Sequence, residues 1–261
     1  MKTQNAEQIR ASVREHYAGL IASGESCCAP SNACCGTEND IETALKGKFA
    51  KKNGYTDEQL SSIPTDASEH SFGCGNPLEY ADVREGDVVL DLGSGAGIDV
   101  LLASQLVGES GKAIGIDMTP QMIEKARKNA TEAEAKNVEF RLGEIEAMPI
   151  EDNSVDWIVS NCVINLSPDK DKVFREAYRV LKPGGRLLVS DIVANHMPEW
   201  LKSVVSAWAS CISGALPEDQ YLDSIRHAGF EDVNVLSKSA YAKVANAEVA
   251  SIKVKATKPN E

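Results

Sequence analysis

Nowhere in this chain is there an apolar run approaching the roughly 20 residues that a membrane-spanning helix needs. The opening stretch, MKTQNAEQIRASVREHYAGL, is charged and amphipathic and lacks the apolar centre of a secretory signal. Neither membrane insertion nor export is expected, and the chain is assigned to the cytoplasm. Positive charge is also in short supply: 27 Lys and Arg face 39 Asp and Glu, a net charge of −12. A surface of that sign repels polyanions, and no basic patch reverses it locally, so nucleic acid is not an expected partner. Histidine is rare; the four, at positions 16, 70, 196 and 227, have no spacing that suits a metal site or a catalytic dyad.

What remains is ordinary for a folded domain, with 43% apolar and 25% charged residues in 261. That length makes one large domain or two modest ones. The seven cysteines are an odd count. In a reducing compartment they read as reactive or soft-ion-binding thiols rather than as a disulfide framework.

From about residue 87 short β-branched runs alternate with amphipathic segments. DVVLDLG (87–93), KAIGIDM (112–118), VEFRLGE (138–144), DWIVSN (156–161) and RLLVSDIV (186–193) read as strands, continuous enough in apolar residues to be buried on both faces. The segments between them read as helices. One, DKDKVFREAYRVL, places Val173, Phe174, Ala177, Val180 and Leu181 on one stripe. Thr119 and Pro120 mark a helix start, and KPGG after Leu181 marks a stop. Alternating βα units predict a doubly wound, mostly parallel sheet. After residue 195 a helix carrying Trp200 and Trp208, another at 217–228, and two strands near 231–238 and 248–256 complete it. Ahead of the sheet, 5–22 and 41–52 read as helices joined by SGESCCAPSNACCGTEN, a small, polar connector expected to be mobile.

VVLDLGSGAGID sets a glycine-rich turn between the first strand and its helix. Gly93, Gly95 and Gly97, with Ser94 between them, let backbone approach a ligand at a helix N-terminus. Asp117, ending the second strand and followed by Met118, is placed to accept the ribose hydroxyls of an adenosine moiety. A nicotinamide dinucleotide would use similar features. The loop lacks the G-x-G-x-x-G form that fits a pyrophosphate, however, and Asp91 would repel a phosphate while attracting an ammonium or sulfonium. That favours S-adenosylmethionine, with Glu144 and Ile145 of GEIEAMP as adenine-edge contacts. Each acidic residue singly could be no more than a solvated strand-end charge.

Cys162, in SNCVINL, leaves the fourth strand beside the glycine loop, where such sheets bind ligands. Asn161 and Val163 flank it and are candidates to contact the cofactor's methionine end, with a strand-terminating Asn that holds no ligand as the competing reading. A thiolate there could be a nucleophile or a soft-ion ligand; taken alone, a single cysteine is more often a small buried hydrophobe.

SFGCGNP, VLDLGSGAGID, GIDMTPQMIEKARKNA, VEFRLGEIEAMP, SNCVINLSPDKDKVFREAYRVLKPGGRLLVSDIV and CISGAL, in that order over residues 71 to about 230, resemble the arsenite S-adenosylmethionine methyltransferases. The resemblance implies a Rossmann-like, seven-stranded class I methyltransferase sheet with a helical N-terminal extension and a small arsenic-binding insertion after the fifth strand. The implied boundaries are 1–65 for the extension and its cysteine-rich connector, 66–195 for the cofactor-binding core, and 196–261 for the arsenic-site helices and the last two strands. Phe72, just before GCG, reads equally as a residue closing over the cofactor or as core. The resemblance further implies that Cys74, Cys162 and Cys211 hold trivalent arsenic and that an N-terminal cysteine takes part in redox turnover.

Cys27, Cys28, Cys34 and Cys35 are the candidates for that last role, with thioredoxin or glutathione as the eventual reductant. Their two vicinal pairs lack the C-x-x-C knuckle of common zinc modules, the competing reading. Two other readings of the whole chain stay open on sequence: a methyltransferase of a small organic metabolite such as a quinone or sterol, with incidental cysteines, and a metalloid-binding protein without catalysis.

Overall fold

Branched apolar residues at successive positions of the predicted strands require burial on both faces, and the chain meets that by layering helices on each side of one sheet. The computed structural model describes residues 2–23, 50, 53–70, 73–195, 214–244 and 247–260. The seven strands are β1 (Val88–Leu92), β2 (Lys112–Asp117), β3 (Val138–Leu142), β4 (Val155–Asn161), β5 (Leu181–Asn195), β6 (Glu231–Val244) and β7 (Ala247–Thr257). Their order is β3-β2-β1-β4-β5-β7-β6. Pairings from β3 through β5 are parallel, and β7 is antiparallel to both β5 and β6. The expectation of a mostly parallel seven-stranded sheet holds, with β7 the antiparallel member.

Alternation along the strands divides the core in two. Val89, Trp157 and Val159 face one helix layer, which includes α4 (Ile98–Val107) and α5 (Pro120–Glu132) after α1 (Lys2–Ser23), α2 (Asp57–Ser61) and α3 (Thr65–Glu69) in chain order. Leu90, Leu92 and Ile158 face the other, with α6 (Lys170–Val180) and α7 (Glu218–His227). The α6 stripe is buried as its spacing requires: Val173, Phe174, Ala177 and Val180 are inaccessible to solvent. Burying side chains such as Val173 and Phe174 contributes about 1.5–3 kcal/mol each.

Leu181 departs from the helical stripe. Its ψ of 138° ends the helix, and it opens β5 by pairing with Val155. Thr119 takes the position before α5, with Pro120 at its first turn, but its hydroxyl does not cap the helix. The Asp117 carboxylate instead accepts the Thr119 N–H at 2.8 Å.

Residues 53–69 add Tyr55, Ile63 and Ala67 to the core beneath α4 and α5. Nearly all of the helix expected at 41–52, and the one expected around Trp200 and Trp208, lie outside the described residues. None of the described helices is long and apolar enough to cross a membrane.

Strand order reverses between β1 and β4. At such a switch point the loops leaving the two strands diverge to opposite faces and open a crevice at the carboxyl edge of the sheet. The loop 93–97 forms one wall and residues 161–163 the other.

Candidate functional site

The glycine loop is forced by its backbone. Gly93, Gly95 and Gly97 all have positive φ, at 69°, 51° and 94°, a region that costs other L-residues roughly 1–2 kcal/mol. Gly93 also has no room for a side chain, since a Cβ there would lie 2.3 Å from Val163 Cγ2. The two loops of the crevice therefore touch. Gly95 is the opposite case: no described atom lies within 4 Å of where its Cβ would be, and it lines the crevice. Beside it, Ser94 Oγ is buried with no hydrogen-bond partner among the described residues. A bare backbone turn with an unsatisfied hydroxyl is a cradle shaped for polar ligand atoms.

The crevice is partly open, and its roughly 920 Å³ of empty space includes solvent at its mouth. Asp91, Asp99 and Asp117 line it. Asp117 accepts the Gly95 N–H at 3.0 Å as well as that of Thr119, which locks the glycine loop to the end of β2. Burial raises its pKa in spite of these bonds. Asp91 is 3% exposed and accepts no hydrogen bond from any described residue. Burial, then the nearby charges of Asp99 and Asp117, push its pKa well above the usual carboxylate range. Asp99 is raised to about 6 by burial, while a 2.8 Å hydrogen bond from the Tyr55 hydroxyl works in the opposite direction. Three buried acids whose pKa values are all raised mark this crevice as a candidate functional site.

Met118, Ile145 and Val163 line the same space, with Gly143 and Met122. Glu144 does not. Its carboxylate turns outward to Arg10 and Arg14 of α1, at 3.4 and 3.6 Å, and Glu146 faces the crevice instead. Glu146 accepts the Ser167 hydroxyl at 2.7 Å and lies 3.7 Å from Arg10. Through Arg10, Val13 and Tyr17, α1 forms part of the crevice wall. Gly97 is set back from the opening, against the Phe140 ring.

At the other wall β4 ends in Asn161, and Cys162 follows with φ of 63°. A non-glycine residue in that conformation is sparsely populated and tends to mark a functional position. Cys162 is buried and lines the crevice. Its N–H donates to the Ser190 carbonyl of β5 at 2.8 Å. Cys74 comes to the same carbonyl from far away in sequence: its thiol lies 3.6 Å from the Ser190 oxygen. Both cysteines belong to one apolar cluster with Ile9, Val13, Leu166 and Ile192. Beneath them Asp191 accepts from Asn165 Nδ2, the Ile192 N–H and the Tyr221 hydroxyl at 2.7, 2.9 and 3.0 Å, and burial lifts its pKa to about 6.

Of the residues singled out from sequence, Asp91, Gly93, Ser94, Gly95, Asp117, Met118, Ile145, Asn161, Cys162 and Val163 meet at this one crevice. Cys74 stands just behind it. Phe72, Cys211 and the four N-terminal cysteines lie outside the described residues. Among the described residues no three His, Cys, Asp or Glu side chains converge as metal ligands. A three-sulfur site thus needs a donor from the remainder of the chain. Asp99, in GAGID, has a signal in the sequence as an acid one turn into the helix after the glycine loop, whereas Arg10, Tyr55 and Ser190 have none.

The sheet order, the glycine cradle and the acid-lined crevice coincide with a family model described as a methyltransferase domain, which matches residues 84–243. The chain belongs to that methyltransferase family. This methyltransferase chain is similar to the arsenite methyltransferase of Halobacterium salinarum, with 41% identity over 243 residues, covering 90% of the chain and 60% of the relative. It is 39% identical to the arsenite methyltransferase of Aquipseudomonas alcaligenes, covering 74% of the chain and 58% of that protein. Among solved structures it resembles an arsenic(III) S-adenosylmethionine methyltransferase from Chlamydomonas reinhardtii, with a TM-score of 0.71 and 37% identity, covering 77% of this chain and 73% of that one. The chain therefore spans about three fifths of the length of the curated relatives it matches.

Proposed function

We propose that this chain methylates trivalent arsenic with S-adenosylmethionine, holding the metalloid through the thiolates of Cys74, Cys162 and Cys211. The observation that carries the proposal is that Cys74, by its thiol, and Cys162, by its backbone N–H, reach the same Ser190 carbonyl from segments far apart in sequence and share one buried cluster at the edge of the crevice. The similarity to arsenite methyltransferases supports the same reading.

The residues present fit S-adenosylmethionine. Asp91 offers a buried carboxylate for the ammonium of its amino-acid end, Asp117 and the Gly95 turn suit its ribose, and Ile145 and Met118 suit its base. When bound, this cofactor supplies an electrophilic methyl carbon on a sulfonium.

Everything else falls to the chain. Arsenite carries three hydroxides; exchange with three thiols forms three As–S bonds and releases three waters, each thiol proton leaving with a hydroxide. Three-coordinate arsenic keeps a lone pair, and that pair is the nucleophile. No proton has to be removed at transfer, so the chemistry does not call on His70 or Glu146, which line the crevice, as a general base. The chain's work is alignment, which in well-oriented systems is worth about 7–11 kcal/mol.

Each transfer takes arsenic from the trivalent to the pentavalent state. Two electrons restore it, supplied by two thiols that become a disulfide, and Cys27, Cys28, Cys34 and Cys35 are our candidates for that pair, with thioredoxin or glutathione as the external reductant. The test is incubation with arsenite, S-adenosylmethionine and a thiol, followed by arsenic speciation by mass spectrometry. Methylated arsenic from the wild type, and none from serine variants at 74, 162 or 211, is expected. Turnover on an organic acceptor that survives the triple serine variant would replace this reading with the small-metabolite one.

A further inference from the structure

The Asn161 side chain is filled to capacity. Its Oδ1 accepts the N–H groups of Cys74 and Gly75 at 2.9 and 3.2 Å, and its Nδ2 donates to the Gly75 carbonyl at 2.5 Å and to the Tyr55 hydroxyl at 3.0 Å. A primary amide has two N–H donors and an oxygen with two lone pairs, and these bonds engage all of them, with the Asp99 carboxylate also in reach of Nδ2. The approach is so close that a Cβ on Gly73 would sit 2.2 Å from the amide carbon. Asn53 ties the same segment from outside, donating to the Gly73 carbonyl at 2.6 Å.

The direction of the amide is set by the backbone groups of Cys74 and Gly75, and the crevice side agrees with it. Ionised Asp99 can only accept, so the Tyr55 hydroxyl must donate to it. The Tyr55 oxygen is then left to accept, which requires Nδ2 of Asn161 on that side and Oδ1 toward Cys74. The main chain continues from Asn161 directly into Cys162. One residue thus carries one thiol on its backbone and grips the segment bearing the other with its side chain.

We propose that Asn161 is the positioning residue that sets Cys74 against Cys162, with Tyr55 and Asp99 anchoring its amide from the crevice side. This rests on the arsenic reading for its purpose but not for its geometry. Asn161 acts through Cys74 rather than on the reacting atoms, and its loss frees the Cys74 segment while leaving the end of β4 in place.

The experiment alkylates the full chain with N-ethylmaleimide and follows Cys74 and Cys162 separately by peptide mass spectrometry. The variants are Asn161→Ala and, as the gentler change, Tyr55→Phe. Arsenite affinity is measured in parallel by equilibrium dialysis. Asn161→Ala is expected to speed Cys74 modification about tenfold while Cys162 changes less than about twofold, and to weaken arsenite binding about tenfold; Tyr55→Phe moves both in the same direction by about threefold. Equal acceleration of both cysteines, which general loosening would give, overturns the proposal, as does an unchanged Cys74 rate. If the wild type binds no arsenite yet Cys74 alone is released in the variants, the arsenic reading fails and the clamp stands. If wild type and Asn161→Ala bind arsenite equally, the clamp fails and the arsenic reading stands.

Discussion

Replacing Asp91 by Asn should strengthen the fold and weaken the cofactor site, two effects of opposite sign from one atom. The Asp91 carboxylate is buried, with the charges of Asp99 and Asp117 nearby. Removing its charge relieves desolvation and repulsion, a gain on the order of 1 kcal/mol or about 2–4 °C in melting temperature for a chain of this size. If the carboxylate meets the ammonium of the cofactor, Asp91→Asn loses a charge-assisted hydrogen bond worth about 1.5–3 kcal/mol, so affinity falls roughly 10- to 150-fold.

The raised pKa adds a second signature. The free chain holds a proton on Asp91 to a higher pH than usual, whereas a bound cation favours the ionised form. Binding therefore releases a proton, and affinity rises with pH until it passes the pKa of the free protein. Calorimetry with S-adenosylhomocysteine, in buffers of different ionisation enthalpy between pH 6 and 8.5, measures both affinity and proton release. An Asp91→Asn variant with wild-type affinity and wild-type proton release would refute the assignment of Asp91 to a cation.

Two glycines separate packing from binding. Gly93→Ala drives a methyl into Val163 and should cost about 2–4 kcal/mol, seen as a lower melting temperature. Gly95→Ala meets no described atom; it should cost only the backbone strain of about 1–2 kcal/mol and show its main effect as lost S-adenosylhomocysteine affinity. The reverse ranking in melting and titration would contradict the loop geometry. The pH dependence of stability follows from Asp99, raised from 3.8 to about 6. The folded chain binds this proton more tightly than the unfolded one, so the residue costs stability as pH rises through that window, up to about 3 kcal/mol once above it. Asp99→Asn, which can still accept from Tyr55, should gain on wild type in melting temperature between pH 5 and 7.5; parallel curves would show that burial does not perturb this carboxyl.

Sequence periodicity revealed what local physics determines. The strands of the parallel sheet are buried on both faces, so their apolar runs are unbroken and legible. The glycine turn and Asp117 are a strand–turn–helix unit, contiguous enough to read directly. Leu181 shows the limit: its spacing continues the α6 stripe, but pairing with Val155 draws it into β5. Glu144 shows another, because its partners Arg10 and Arg14 arrive from a helix more than a hundred residues earlier. Neither the Ser190 carbonyl shared by Cys74 and Cys162 nor the Tyr55–Asn161 contact leaves a trace in spacing, since both depend on how distant segments meet at the switch point.

The account turns on whether sulfur from separate segments gathers around one arsenic atom. Arsenic K-edge X-ray absorption of the full chain, loaded with one equivalent of arsenite, counts the neighbours directly. Three sulfurs in the wild type and two in Cys162→Ser are predicted; an oxygen shell, or a sulfur count indifferent to Cys162, would contradict it.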